Sequence, residues 1–273
     1  MSPSPNVSEI HAMALHVCIP ISCDVAAKLT KAPAQLSIYD GSQSAHLVVV
    51  VDYLYSIKSY VGFGRFFGVP LQGWMTKVNL LVEMKNCDDH EDCQGYQILN
   101  LDFEAGIKGF VKKVGAIATQ RVPTTTSKYF SSISGGDSGD SGTAFHKKLN
   151  QGDRFQATVT TRSGEGCEST VVHVDGHIAE LTADESKFVE FVVKRPHKFL
   201  LQKGGDLAYS PWGEGWKSQV EGTKKLDART VEVKKLLTNC CGLEIANSCD
   251  YDNIFSFVQP SYEMVDYTNT KLS

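Results

Sequence analysis

Apolar and polar residues alternate along most of this chain with a period of two, not 3.6. The segments His11–Ile21, Ala45–Ile57, Lys77–Lys85, Tyr96–Asp102, Arg154–Arg162, Ser169–Glu180, Lys198–Gln202, Arg229–Leu236 and Ile254–Val265 are rich in Val, Ile, Thr, Tyr and Phe. Each is bounded by Gly, Pro, Asn or Asp, which predicts strands joined by turns. Within them, Leu47–Val51 reads as a strand core. Helical signals are few. Cys23–Lys31 predicts one short helix, with Asp24 as a capping type and Pro33 beyond its end. Leu181–Val193 predicts another: Thr182 and Glu185 form a capping box, and Arg195-Pro196 stops it. The class is mainly β with a few short helices, as a barrel or a pair of packed sheets.

Two stretches break the alternation. Ser131–Gly142, SSISGGDSGDSG, is low in complexity and predicts a flexible loop. Gly62–Gly73, GFGRFFGVPLQG, predicts a turn-rich apolar loop. No internal repeat or linker divides the chain, so residues 1–273 read as one domain.

Composition narrows the function classes. The 27 basic and 31 acidic residues leave a net charge of −4, which argues against a phosphate-binding surface and so against a nucleic-acid partner. No apolar run approaches the roughly 20 residues of a helical membrane span. The N-terminus lacks a basic region followed by an apolar one, and the eight cysteines are read as reduced thiols of a cytoplasmic protein. Cys87 and Cys93 flank an acidic segment, NCDDHEDCQG, read as a solvated hairpin loop; no second ligand pair follows, and no metal or other cofactor is expected. His173 and His177 share a strand face but have no third ligand.

Two motifs invite catalytic readings. The GDSG repeats at Gly136–Gly142 resemble the nucleophile loop of chymotrypsin-like proteases, but no histidine sits in the matching context, and the Ser/Gly/Asp repeat explains the segment. Lys112 and Lys113 are the stronger candidates. They lie in GFVKKVG, beside Phe110, Val111 and Val114. Desolvation and a neighbouring cation both lower a lysine pKa, and a neutral lysine is a nucleophile towards carbonyls. The other reading is one exposed and one inward lysine on a strand.

At these residues the chain resembles the acetoacetate decarboxylase family, whose lysine is a standard case of an amine activated by its surroundings. Three collinear stretches carry the resemblance. They are Leu101-Asp102 followed by Gly109–Gly115, then Val171–Leu201 (with Gly176, Leu181, Ala183, Glu185, Lys187, Arg195 and Pro196), and Pro260–Tyr267. The resemblance implies a cone-shaped β-barrel with a few short helices and an apolar pocket. It implies Lys112 as the Schiff-base lysine, Lys113 as its neighbour, and a small-molecule carbonyl substrate. Val111 stands where the family has proline; the family's arginine falls at about Ile19 or Pro20, and its glutamate at about Met75. Arg65 and Asp52 are the candidate replacements, and Phe110 and Met75 join them as candidate substrate-binding residues.

The implied function is a Schiff-base lyase acting on a β-keto acid or related carbonyl compound, in specialised metabolism. The alternative is a non-covalent cyclase, isomerase or binding protein using the same pocket. A homo-oligomer is compatible with both.

Overall fold

A computed structural model describes residues 7–31, 34–40, 42–60, 69–85, 94–105, 128–135, 149–162, 168–195, 197–201, 207–211 and 222–267. Its frame is one large sheet. The strands are β1 (Val7–Ser22), β2 (Ala34–Leu36), β3 (Ser44–Tyr60), β4 (Val69–Met84), β5 (Gln94–Ala105) and β6 (Lys128–Gly135), then β7 (Arg154–Arg162), β8 (Glu168–Ala179), β9 (His197–Leu201), β10 (Leu207–Pro211), β11 (Lys224–Glu232) and β12 (Phe255–Tyr267). Their order is β10-β9-β5-β4-β3-β1-β12-β11-β8-β7-β6, with β2 paired to β4. β5 and β9 run parallel; the other strand pairs are antiparallel.

Among the described residues, the α-helices that accompany the sheet are α1 (Cys23–Leu29), α2 (Ala183–Val193), α3 (Lys234–Cys241) and α4 (Leu243–Asn247). Helix α3 touches both β8 and β5. Six strand spacings separate β5 from β8 in the sheet order, about 29 Å if it were flat. A helix is only about 10 Å across, so the sheet curls around α3 into a half-barrel. Its inner face is built by alternate positions of the central strands: Met13, Leu15, Val17 and Ile19 on β1, and Leu47, Val49 and Val51 on β3. Leu236 and Leu237 of α3 are buried against this face. The opposite face carries Ala12, Ala14 and Cys18, and α2 packs on it through Val189, Val192 and Val193. Both faces of β1 and β3 are therefore covered, which explains the unbroken apolar run Leu47–Val51.

The period-two segments become strands, mostly with longer ends, and Arg154–Arg162 keeps the expected bounds. Corrections fall where a local signal was ambiguous. The stretch Arg229–Leu236 is not one strand: β11 ends at Glu232 and α3 begins at Lys234. Val233, Leu236, Leu237 and Cys240 follow the i, i+3, i+4, i+7 pattern of a buried helix face. The expected flexible loop Ser131–Gly142 begins as strand, because Ser131–Gly135 belong to β6 and pair with β7; residues 136–142 lie outside the described residues. Likewise Val69–Gly73 of the expected apolar loop lie in β4, paired with β3 and β5, and its residues 62–68 lie outside the described residues. Backbone pairing overrides low complexity in the first place and turn-rich composition in the second. The cap of α1 is Ser22 rather than Asp24: the Ser22 side chain accepts from the Val25 N–H, and Asp24 sits in the first turn. The capping box of α2 forms as expected between Thr182 and Glu185. The acidic segment around Cys87 and Cys93 joins the antiparallel β4 and β5, although residues 86–93 lie outside the described residues.

Gly176 shows why one residue of the β8 motif has to be glycine. It sits where β11 bulges between Ala228 and Thr230. A Cβ there would lie 2.5 Å from the Asp227 carbonyl oxygen and 2.7 Å from the Ala228 Cα. Both are backbone atoms and cannot swing aside. Gly176→Ala should therefore destabilise the fold by about 2–3 kcal/mol, read as a lower urea midpoint. A midpoint within error of the parent would show that β11 moves away freely.

Candidate functional site

A polar cluster interrupts the apolar α2-side face of the sheet. Strand register places its members. His16 lies opposite Val50 on β3 and Phe257 on β12, and Val50 lies opposite Lys77 on β4. One row along, Ala14 lies opposite Asp52 and Gln259, and Asp52 lies opposite Met75. Directly opposed residues share a face, so His16, Asp52, Met75, Lys77 and Gln259 converge around the small residues Ala14 and Val50.

The contacts are specific. Lys77 Nζ lies 2.8 Å from Asp52 Oδ2. The Asp52 side chain is wholly buried, and that of Lys77 retains 13% of its exposure. His16 Nε2 lies 3.3 Å from Gln259 Oε1, so Nε2–H is the donor. The lone pair of Nδ1 then has no partner among the described residues. The imidazole stacks on Phe257 with centroids 4.5 Å apart. Burial, and next the Lys77 charge, push the His16 pKa down to about 3, against the raising effect of Gln259. At neutral pH His16 is thus an uncharged base. A buried ion pair, a neutral imidazole and an amide form a constellation able to accept, donate and hold a proton.

This arrangement has a measurable energetic signature. Removing one partner of a buried pair leaves an uncompensated charge, at about 3 kcal/mol or more. Asp52→Asn should lower stability by about that amount, and adding Lys77→Met should restore most of it. Denaturant titration of both variants decides. A double variant no more stable than Asp52→Asn would show that the pair is not the source of the loss.

Of the candidate residues from the sequence, the structure brings Asp52 and Met75 together as cross-strand neighbours. Arg65, Phe110, Lys112 and Lys113 lie outside the described residues. Sequence reasoning missed Lys77, His16 and Gln259. Lys77 did carry a signal, since it shares the parity of Met75 and Leu81 and so puts a charge on a buried face. Gln259 carried none, because its approach to His16 spans 243 residues of sequence.

The rest of this face is structural. Phe188 and Phe191 of α2 pack against Tyr39, and Phe188 also packs against His46 and Phe255. Burial, then the Arg195 charge, lower the His46 pKa to about 4. Arg195 is itself wholly buried at the end of α2. Elsewhere, His173 accompanies Thr158 and His177 accompanies the Gly152 carbonyl, on the same face of β8 as the Asp175–Arg154 ion pair. Among the described residues, no cluster of three or more His, Cys, Asp or Glu has metal-site geometry, and no helix is long and apolar enough to cross a membrane.

No family model matches the chain, and no curated protein matches it in sequence. Solved structures do share its fold. The enduracididine biosynthesis enzyme MppR with bound HEPES is similar at a TM-score of 0.58 and 12% identity, over 97% of this chain and 86% of that one. An acetoacetate decarboxylase-like enzyme from Sphingomonas wittichii RW1 gives 0.55 and 11%, over 96% and 91%. Acetoacetate decarboxylase from Legionella pneumophila gives 0.54 and 12%, over 97% and 86%. The curled antiparallel sheet with its few short helices is thus the fold of the acetoacetate decarboxylase-like enzymes, carried by a highly divergent sequence.

Proposed function

We propose that this protein is a lyase of acetoacetate-decarboxylase type, joining a lysine to a β-keto acid or related carbonyl compound as a Schiff base. The observation that carries the proposal is the Asp52–Lys77 and His16–Gln259 cluster, buried in a sheet of this fold. Proton-handling groups rarely occupy a buried sheet face for stability alone, because an apolar set of similar volume does as well.

In this reading Lys112 is the nucleophile and Lys113 the neighbouring cation. The Lys112 amine adds to the substrate carbonyl, and water leaves as the iminium forms. The bond to the carboxylate then breaks; carbon dioxide departs, and its bonding pair moves towards the iminium nitrogen to give an enamine. Protonation at carbon and hydrolysis release the ketone and the free amine. Asp52 takes the place of the carboxylate absent at Met75, one strand over. Lys77 pairs with Asp52, and neutral His16 relays protons. Phe110 and Met75 supply apolar contact, and Arg65 a cation for the substrate carboxylate. A structure of MppR holds the condensation product of pyruvate and imidazole 4-carboxaldehyde; in that light, aldol-type condensation belongs beside decarboxylation among the reactions to test. In this reading the protein acts without a cofactor and in the cytoplasm, and a homo-oligomer is compatible with it.

One observation favours the non-covalent alternative. Lys77, the amine within the described cluster, is committed to an ion pair with Asp52, and an ammonium is not a nucleophile. A cyclase, isomerase or binding site would need only the shape and the polar groups.

Borohydride trapping separates the two. The full chain is incubated with β-keto acids, simple ketones, and pyruvate with an aldehyde, then reduced and mapped by peptide mass spectrometry. The expected result is a reduced adduct on Lys112, absent from Lys112→Ala. An adduct confined to Lys113 would keep the chemistry and exchange the two lysines. No adduct on any lysine across the panel, from folded protein, would remove the covalent reading.

A further inference from the structure

The last turn of α3 holds two thiols in a geometry that an ordinary helix does not provide. Successive residues of a helix point about 100° apart and do not face each other. Yet Cys240 Sγ and Cys241 Sγ approach to 3.2 Å. The helix stops immediately afterwards at Gly242, with φ 91° and ψ 160°, and only there is the chain released from helical geometry. Both cysteines are half-buried and neither is in a disulfide. Cys240 Sγ also lies 3.7 Å from the Leu237 carbonyl oxygen. The chain's third thiol in this region, Cys249, is buried and directed at the Ile245 carbonyl, 3.3 Å away.

A disulfide does not suit this pair. Adjacent Cα atoms are about 3.8 Å apart, below the roughly 4.4 Å at which unstrained disulfides begin. A bridging atom does suit it. Two bonds of about 2.3 Å meeting near a right angle span about 3.2 Å.

From this we infer that Cys240 and Cys241 form a two-thiol chelating site for a thiophilic three-coordinate centre, the chemical class of trivalent arsenic. The reaction needs no oxidant: an organoarsenic oxide and two thiols give a dithioarsenite ring and one water, which carries off the oxide oxygen and both thiol protons. Deprotonation is assisted, since the hydrogen bond from Cys240 lowers the Cys241 pKa against the opposing effect of burial. Occupancy has a structural consequence. Leu236 and Leu237 of the same helix anchor in the inner face of the half-barrel, so the ring would fix the junction of α3 and α4 and raise the melting temperature. This site is separate from the sheet cluster and does not depend on the proposed catalysis.

The test uses the folded full chain and phenylarsine oxide, read by intact mass and by tryptic mapping. The peptide from Leu236 to Lys271 carries all three thiols. The expected result is one adduct per chain on that peptide, formed near equimolar reagent, resistant to excess monothiol and reversed by a dithiol. It should persist in Cys249→Ser and in Cys87→Ser/Cys93→Ser. It should weaken at least about a hundredfold in Cys240→Ser and in Cys241→Ser, the loss expected when a two-point attachment becomes one-point. An adduct on another peptide, one that survives both single substitutions, or one displaced by monothiol would overturn the inference. So would the absence of any adduct. Mapping on the unaltered chain keeps the test decisive if a serine variant fails to fold.

Discussion

Lowering the pH from 7 to 5 should remove about 4 kcal/mol of folding stability, half of it through His16 and half through His46. The folded-state pKa values are about 3 for His16 and about 4 for His46, both below the ordinary 6.5. The unfolded chain therefore binds protons at these sites that the folded chain refuses. Stability from keeping them neutral is complete above pH 6.5 and falls by about 1.4 kcal/mol per pH unit for each histidine below it. It bottoms out as pH passes through each folded value. The carboxylates with lowered pKa values, Asp175, Glu185 and Glu244, act in a lower window, because their contribution is lost only as pH falls through the carboxylate range. Urea midpoints at pH 7 and pH 5 measure the slope. His16→Gln and His46→Gln should each halve it, whatever they do to stability at pH 7. A flat profile between pH 7 and 5 in the parent protein would mean that water or a counter-charge reaches both rings.

Arg195→Met should destabilise the protein by about 4–5 kcal/mol, and Arg195→Lys by less than that but still severely. The guanidinium is wholly buried, and its contacts to Val82, Gly95 and Ser37 are buried with it. Nε donates to the Phe191 carbonyl at 3.0 Å, and Nη1 to the carbonyls of Val82 and Gly95 at 3.0 and 3.2 Å. Nη2 donates to Ser37 Oγ at 3.3 Å. Val82 and Gly95 are cross-strand partners in β4 and β5, so one side chain pins the end of α2 to two strands. The ring of Phe191 lies 4.4 Å from the guanidinium carbon. Tyr96 extends the same knot by donating its hydroxyl to the Val192 carbonyl. Burial lowers the Arg195 pKa to about 10, which still leaves it charged at neutral pH. Methionine fills the volume but removes a donor from three carbonyls and a hydroxyl. Lysine keeps the charge but loses the planar fork. Denaturant titration, or loss of folded protein on expression, reports the effect. A cost below about 1 kcal/mol for Arg195→Met would show that the site relaxes or admits water.

The architectural role of Arg195 bears on the meaning of the sequence resemblance. Gly176, Glu185 and Arg195 are motif residues, and each has an architectural use here: close backbone approach, the capping box with Thr182 that starts the helix, and helix anchoring. A motif made of such residues reports the fold. It says little about chemistry; the proposed chemistry is argued instead from Lys112 and from the cluster of Asp52, Lys77, His16 and Gln259.

Much of this protein was determined locally. Alternation with β-branched and aromatic residues is enough to specify strands such as Arg154–Arg162, because a pleated backbone sends neighbouring side chains to opposite faces. The capping box specifies where α2 starts, because it satisfies backbone donors within four residues. Short segments failed where two periods compete, as at Val233–Leu237, or where composition hides a pairing edge, as at Ser131–Gly135. The tertiary structure alone decided strand order, the curl that wraps the sheet around α3, and the register that aligns Ala14, Asp52 and Met75. Register is a long-range property: each strand carries its own pattern, but which row meets which depends on bulges and partners far away in sequence. Hence Asp52 and Met75 could be singled out from the chain, and Lys77 carried a parity signal, whereas the pairing of Lys77 with Asp52 and of Gln259 with His16 became visible only once the strands were paired.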